Sequence, residues 1–138
     1  MPVEVLEKLN ITAQRRGKPF KLLIIDDELP VQQAFKEMCE ISQALKIEVA
    51  SDGTQALEKI NTDHFDLITV DIIMPEVSGL DLIPKMKEKL PGVPVFIITG
   101  NATEKLVNEA GFMGANKVIY KPVDLIGLLT EISSVLCD

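Results

Sequence analysis

Leu67-Ile68-Thr69-Val70-Asp71-Ile72-Ile73-Met74-Pro75, with Ser78-Gly79 close behind, is the stretch that decides the fold of this chain. A run of apolar and β-branched residues reads as a strand buried on both faces. It delivers one carboxylate, Asp71, to its C-terminal end, where Pro75 and Gly79 turn the chain before a helix starts. A charge at the tip of a buried strand is costly unless it is paired or takes part in chemistry. Read alone, Asp71 would only cap the following turn. The rest of the chain supplies partners that outweigh that reading.

Upstream, Lys21-Leu22-Leu23-Ile24-Ile25 is a second buried strand, and it ends in Asp26-Asp27-Glu28. Three adjacent carboxylates repel one another. A divalent cation would relieve the repulsion, and a set of oxygen ligands suits Mg²⁺. An acidic helix N-terminus accounts for Glu28 but not for the pair at the strand tip. Leu29-Pro30 opens a helix whose apolar stripe is Val31, Ala34, Phe35, Met38, Ile41 and Leu45. Lys46-Ile47-Glu48-Val49-Ala50 alternates as a half-exposed edge strand does. Ser51-Asp52-Gly53-Thr54 turns into a short helix with Ala56, Leu57 and Ile60 inward, and Asn61-Thr62-Asp63-His64 forms a polar loop. His64, the single histidine, lies at the wrong end of its strand to join Asp71 and reads as a surface residue.

Downstream, the helix after Gly79 turns Leu80, Leu82, Ile83 and Met86 inward, and Pro84 is expected to bend or shorten it. Val93 to Ile98 is a fourth strand ending in Thr99-Gly100-Asn101, a hydroxyl suited to a phosphate oxygen or to an N-cap. Glu104 to Phe112 is a helix with Leu106, Val107 and Ala110 inward. Lys117-Val118-Ile119-Tyr120 is the fifth strand, with Lys121 at its tip and Pro122 holding that backbone extended. Asp124 caps a last helix bearing Leu125, Leu128, Leu129, Ile132 and Leu136.

With 138 residues and 46% apolar content, the chain suits one globular domain with its own core. No apolar run has the length of a membrane span, and Met1-Pro2-Val3-Glu4 does not start a signal peptide, so a cytoplasmic protein is expected. A net charge of -7 argues against direct binding of nucleic acid. Cys39 and Cys137 lack metal-ligand spacing and read as free thiols. Residues 1–20 stand apart as an extension or linker, with four basic against two acidic residues. There Val3, Leu6, Leu9 and Ala13 recur at roughly helical spacing before Arg15-Arg16-Gly17-Lys18-Pro19 ends the pattern. Such a segment is either a frayed extension or a docking or dimerisation helix, because a helix this short needs something to pack on. Residues 21–138 form the domain proper.

Five alternating strand–helix units imply an α/β fold, a doubly wound parallel sheet in a three-layer α/β/α arrangement of flavodoxin-like type. A crevice then opens at the C-terminal ends of the strands. Asp26, Asp27, Asp71, Thr99 and Lys121 all lie at that end. Acids there would hold a metal, Asp71 would be a nucleophile, and Thr99 and Lys121 would bind the oxygens of a transferred phosphoryl group.

Across roughly residues 21–138 the chain resembles the receiver domain of two-component response regulators, chemotaxis regulators among them. The matching pieces are Ile24-Ile25-Asp26-Asp27-Glu28, Val70-Asp71-Ile72-Ile73-Met74-Pro75 with Gly79, Thr99-Gly100, and Lys121-Pro122. The resemblance implies a 2-1-3-4-5 strand order. It implies that Asp71 accepts a phosphoryl group from a phosphohistidine on a histidine kinase or phosphotransfer protein. It implies Mg²⁺ bound by Asp27, Asp71 and the main-chain carbonyl of Ile73, with Asp26 helping through water. Lys121 would pair with the acyl phosphate, Thr99 would hydrogen-bond it, and the Lys121-Pro122 bond would be cis. Such a protein phosphorylates and dephosphorylates itself rather than turning over a separate substrate. Its downstream target would meet the face around Thr99–Tyr120, and a dimer is a further expectation.

Val118 stands where the family commonly places an aromatic that swings inward on activation, and the single tyrosine, Tyr120, is one residue before Lys121. A valine has too few conformers to report phosphorylation by a ring movement. Ile73 and Asn101 would flank the approach of the hydrolytic water. Ile73 offers neither donor nor acceptor, which predicts a long-lived phosphoryl group. Competing readings fare worse. An FMN module would have its phosphate repelled by Asp26-Asp27-Glu28, and a haloacid-dehalogenase-type phosphatase wants an acid where Ile73 stands. A pseudo-receiver, docking proteins without phosphorylation, is the remaining alternative. Two residues follow Leu136, so either a stand-alone receiver or one cut from a longer regulator is expected.

Overall fold

The computed structural model describes residues 3–73, 79–100 and 103–137. The readings placed on Met74, Pro75, Ser78 and Asn101 lie outside those residues. The elements run α1 (Val3–Arg16), β1 (Phe20–Ile25), α2 (Leu29–Ile41), β2 (Leu45–Ala50), α3 (Gly53–Thr62), β3 (Leu67–Val70), α4 (Gly79–Lys89), β4 (Val95–Thr99), α5 (Glu104–Phe112), β5 (Lys117–Tyr120) and α6 (Leu125–Leu136). The five strands pair in parallel in the order β2-β1-β3-β4-β5, as the resemblance implied. Ile25 stands opposite Val70, Val70 opposite Ile97, and Thr99 opposite Tyr120, so the strand tips form one continuous rim.

Apolar runs on both faces are what put β1, β3 and β4 in the middle. Successive side chains of a strand point to opposite faces, and both faces are covered here. Leu23, Ile25, Ile68, Val70, Val95 and Ile97 pack with Ala56 and Ile60 of α3, Leu82, Ile83 and Met86 of α4, and Ala110 of α5. Leu22, Ile24, Leu67, Phe96 and Ile98 join Leu9 and Ala13 of α1, Phe35 and Met38 of α2, and Leu128, Leu129 and Ile132 of α6. β2 and β5 are the edges and stay partly exposed. Glu48 of β2 pairs with Lys59 at 3.0 Å, and Lys117 of β5 pairs with Glu131.

The helix expected in the first twenty residues forms and docks on the domain. Leu9 is fully buried, which contributes about 1.5–3 kcal/mol of apolar burial. The Arg16 guanidinium lies 3.0 Å from Asp66 and 4.1 Å from the Phe20 ring centroid. The Ser42 hydroxyl donates to Asn10 at 3.0 Å.

Several local expectations change. The α2 stripe stops at Ile41, which is 50% exposed, because the Ser42 backbone leaves the helix after its N–H closes on the Met38 carbonyl at 3.0 Å. Leu45 therefore belongs to β2, and Gln32 takes a buried place on the helix face instead. Asn61 and Thr62 close α3 rather than opening a loop. Pro84 does not shorten α4, which runs on to Lys89 with Pro84 on its exposed side. β4 starts at Val95, because Val93 turns back to the Leu90 carbonyl at 3.1 Å. Of the α5 residues read as inward, Ala110 alone is fully buried. His64 is 71% exposed, as expected of a surface residue.

Candidate functional site

The rim is built by extending the sheet ladder one residue beyond each strand. The Asp26 N–H donates to the Ala50 carbonyl at 3.0 Å, the Asp71 N–H to Ile25 at 3.1 Å, and the Lys121 N–H to Thr99 at 3.0 Å. Three chemically active side chains thus start from rigid backbone on three strands. Asp26 and Asp71 are then divided in the same way. Each accepts at Oδ1 from a backbone N–H two residues on, Glu28 at 2.9 Å and Ile73 at 3.0 Å. Each accepts at Oδ2 from the Lys121 ammonium, at 3.1 Å and 2.9 Å. The Lys121-Pro122 bond is cis, as the resemblance implied.

Asp26 is 2% exposed and Asp71 4%. Asp27 is exposed, yet one oxygen from each of Asp26, Asp27 and Asp71 lies within 4.8 Å of the others. Burial pushes the Asp26 carboxyl above its ordinary 3.8, against the pull of the Glu28 N–H and of Lys121, and the Asp71 charge adds to the rise. Burial by itself would lower the Lys121 ammonium. Its bonds to Glu28, Asp71 and Asp26 outweigh that, and its pKa rises above 10.5. Lys121 is therefore a fixed cation. Three carboxylates pair with this one ammonium and Asp27 lies beside two of them, so the rim carries an excess of negative charge held on oxygen. Such a set fits a hard divalent cation, and it would suit poorly a soft metal that prefers sulfur or imidazole.

Thr99 closes β4 between β3 and β5 and is 1% exposed. Ile73 is 49% exposed and follows Asp71 at the mouth of the rim. Val118 packs partly buried against the α3–α5 side of the core, whereas Tyr120 is 56% exposed. A surface cleft of about 380 Å³ adjoins the rim between Pro30, Val31, Lys121 and Val123. A second hollow, of about 520 Å³, lies between α1 and the α2–β2 turn and is lined by no acid. The chemically active side chains lie at the rim and not in the larger hollow.

Three contributors were not legible beforehand. Gln32 donates to the Asp26 carbonyl at 2.6 Å and braces the backbone that carries the acids; its signal was a polar residue beside Val31 and Phe35 on an apolar stripe. Glu28 stands at the α2 N-cap but makes no side-chain cap bond, and its carboxylate pairs with Lys121. Gly79 was expected for its turn. Its larger role is close approach, since a methyl there would lie 2.1 Å from the Asp71 carbonyl oxygen.

A model of the response regulator receiver domain matches residues 22–133. The chemotaxis protein CheY of Treponema pallidum (strain Nichols) is 32% identical, over 87% of this chain and 85% of that protein. The autoinducer 2 sensor kinase/phosphatase LuxQ of Vibrio vulnificus (strain YJ016) is 35% identical over 78% of this chain, but over 12% of its own length. The chain likewise spans 12% of the sensor protein EvgS. The crystal structure of a CheY-like receiver domain protein from Methanospirillum hungatei JF-1 superposes with a TM-score of 0.81 at 28% identity, covering 86% of this chain and 94% of that one. No helix among the described residues is long and apolar enough to cross a membrane. Sheet order, rim chemistry and the matched residues agree, and the chain belongs to the response regulator receiver domain family of two-component systems.

Proposed function

We propose that Asp71 is the phosphoacceptor and that it takes its phosphoryl group from a phosphohistidine on a histidine kinase or phosphotransfer protein. The observation that carries this reading is the division of its carboxylate, with Oδ1 held by the Ile73 N–H and Oδ2 by Lys121. A nucleophile held in this way loses little orientational freedom on the way to transfer. The Asp71 carboxylate attacks phosphorus as the P–N bond breaks. The donor imidazole, protonated on its other nitrogen, leaves neutral. Lys121 then follows the charge from the carboxylate to the phosphoryl oxygens, and Thr99 at the neighbouring tip offers its hydroxyl to them.

Asp26, Asp27, Asp71 and the Ile73 main-chain carbonyl would hold Mg²⁺, which supplies positive charge to the transferring phosphoryl oxygens. Asp26 also sets the position of Lys121 through Oδ2. The transfer is onto the chain itself, in the cytoplasm, and no separate substrate is turned over. The signal leaves by the face around Thr99–Tyr120, where Tyr120 and Phe112 are exposed. A docking scaffold without phosphorylation would have no use for two buried carboxylates on one ammonium.

The test is intact mass after incubation with acetyl phosphate and Mg²⁺. Wild type gains one phosphoryl mass and Asp71→Asn gains none while keeping its circular dichroism. Acyl phosphate mapped to another residue overturns the assignment.

A further inference from the structure

We propose that Glu28 is a positioning residue that holds Lys121 back from the phosphoryl site, so that its carboxylate competes with the incoming phosphoryl oxygens for the same ammonium. This deepens the phosphoacceptor reading of Asp71 and rests on it. The starting observation is an unused cap. Glu28 occupies the α2 N-cap with an extended backbone, φ -89° and ψ 123°, yet its side chain bonds no helix N–H. The helix dipole favours an acidic side chain that stays near the first turn of its helix. Here it reaches across to β5 and pairs with Lys121 instead.

The two other carboxylates on that ammonium are of a different kind. Asp26 and Asp71 are buried, and each is anchored by a backbone N–H. The Glu28 side chain is 54% exposed, so it can swing into water at little cost. Lys121 has three protons to give, and all three have takers: Asp26, Asp71 and Glu28. A phosphoryl group arriving on Asp71 brings new oxygens to an ammonium with no free donor, so one present partner must let go. Glu28 is the partner that can leave. Its departure opens the Lys121 side of the rim, and its presence disfavours the loaded state by the worth of one half-exposed ion pair.

Beryllofluoride with Mg²⁺ tests this, because beryllium exchanges its water for a carboxylate oxygen and the complex imitates an acyl phosphate without a chemical step. Affinity is read by calorimetry on wild type, Glu28→Gln, Asp52→Asn and Asp71→Asn. Asp52 lies on the same rim after β2 and caps α3 by accepting from Gln55 at 2.8 Å. Asparagine keeps that cap while removing the charge. Glu28→Gln should bind about two- to fivefold more tightly, the range expected for losing a part-exposed competing pair, while Asp52→Asn stays at the wild-type value. Equal affinity of Glu28→Gln and wild type, weaker binding, or an equal gain in Asp52→Asn each overturns the proposal, the last because the effect would then be general charge. Failure of wild type to bind, or undiminished binding by Asp71→Asn, overturns the phosphoacceptor reading instead.

Discussion

Replacing Gly79 by alanine tests how the phosphoacceptor is held in place. The added methyl would stand 2.1 Å from the Asp71 carbonyl oxygen and 2.9 Å from both the Asp71 carbonyl carbon and the Ile72 Cα. Ordinary contact begins near 3.4 Å, so the first turn of α4 would have to retreat by roughly 1.3 Å. The atoms in the way are backbone on the rigid end of β3, not the tip of a flexible side chain, and they cannot give. Such overpacking costs about 1–3 kcal/mol. The retreat also breaks the bond from the Gly79 N–H to the Ile72 carbonyl, 2.9 Å long, for another ~0.5–1.5 kcal/mol. Gly79→Ala should therefore lose about 2–4 kcal/mol, a large share of the ~5–15 kcal/mol that holds a domain together. Gly111→Ala is the matched control, since nothing lies within 4 Å of a methyl there. Near the C-terminal end of α5 it should gain about 0.4–1 kcal/mol. Urea unfolding followed by far-ultraviolet circular dichroism reads both. A Gly79→Ala protein as stable as Gly111→Ala would refute the argument that this glycine exists for close approach to Asp71.

Two further outcomes are expected. Leu9→Ala should destabilise the whole domain by about 2–3 kcal/mol, because Leu9 is fully buried, whereas Ile11→Ala on the 47% exposed side should stay within ~0.5 kcal/mol. Equal, negligible effects in urea would mean that α1 frays from the domain in solution. Without divalent metal, Asp26 makes stability fall as pH rises. Its carboxyl is raised above 3.8 by burial, and it faces Lys121, Asp71, Asp27 and the Glu28 backbone. Its contribution is fully present below 3.8 and is lost as pH climbs through the raised folded-state value. Asp26→Asn should flatten that limb and raise the melting temperature of the metal-free protein at neutral pH. A pH–stability profile unchanged by the substitution would refute it.

The sequence by itself determined the architecture and the rim. Period and punctuation are local properties. The apolar runs at Leu22–Ile25, Leu67–Val70 and Val95–Ile98 could only be buried strands, and the helices between them forced parallel pairing. A parallel sheet brings every strand's C-terminal residue to one edge, so Asp26, Asp71, Thr99 and Lys121 were legible together before any coordinate was known. The fate of the first twenty residues was decided by the tertiary structure. Leu9 and Ala13 carry the same periodicity on a docked helix as on a frayed one, and what distinguishes the two is the apolar surface between α2 and α6.

The same holds for the details of the rim. Glu28 reads as an acid at a helix start, and its local chemistry favours that role. It pairs with Lys121 because the sheet order places the tip of β5 within reach, 93 residues away along the chain. Gln32 bracing the Asp26 carbonyl and Gly79 against the Asp71 carbonyl are likewise contacts between segments, one to a strand tip and one to a backbone atom. Periodicity reports which face of an element is buried and never which atom it meets. That pairing depends on distances that exist only once the strands are laid side by side.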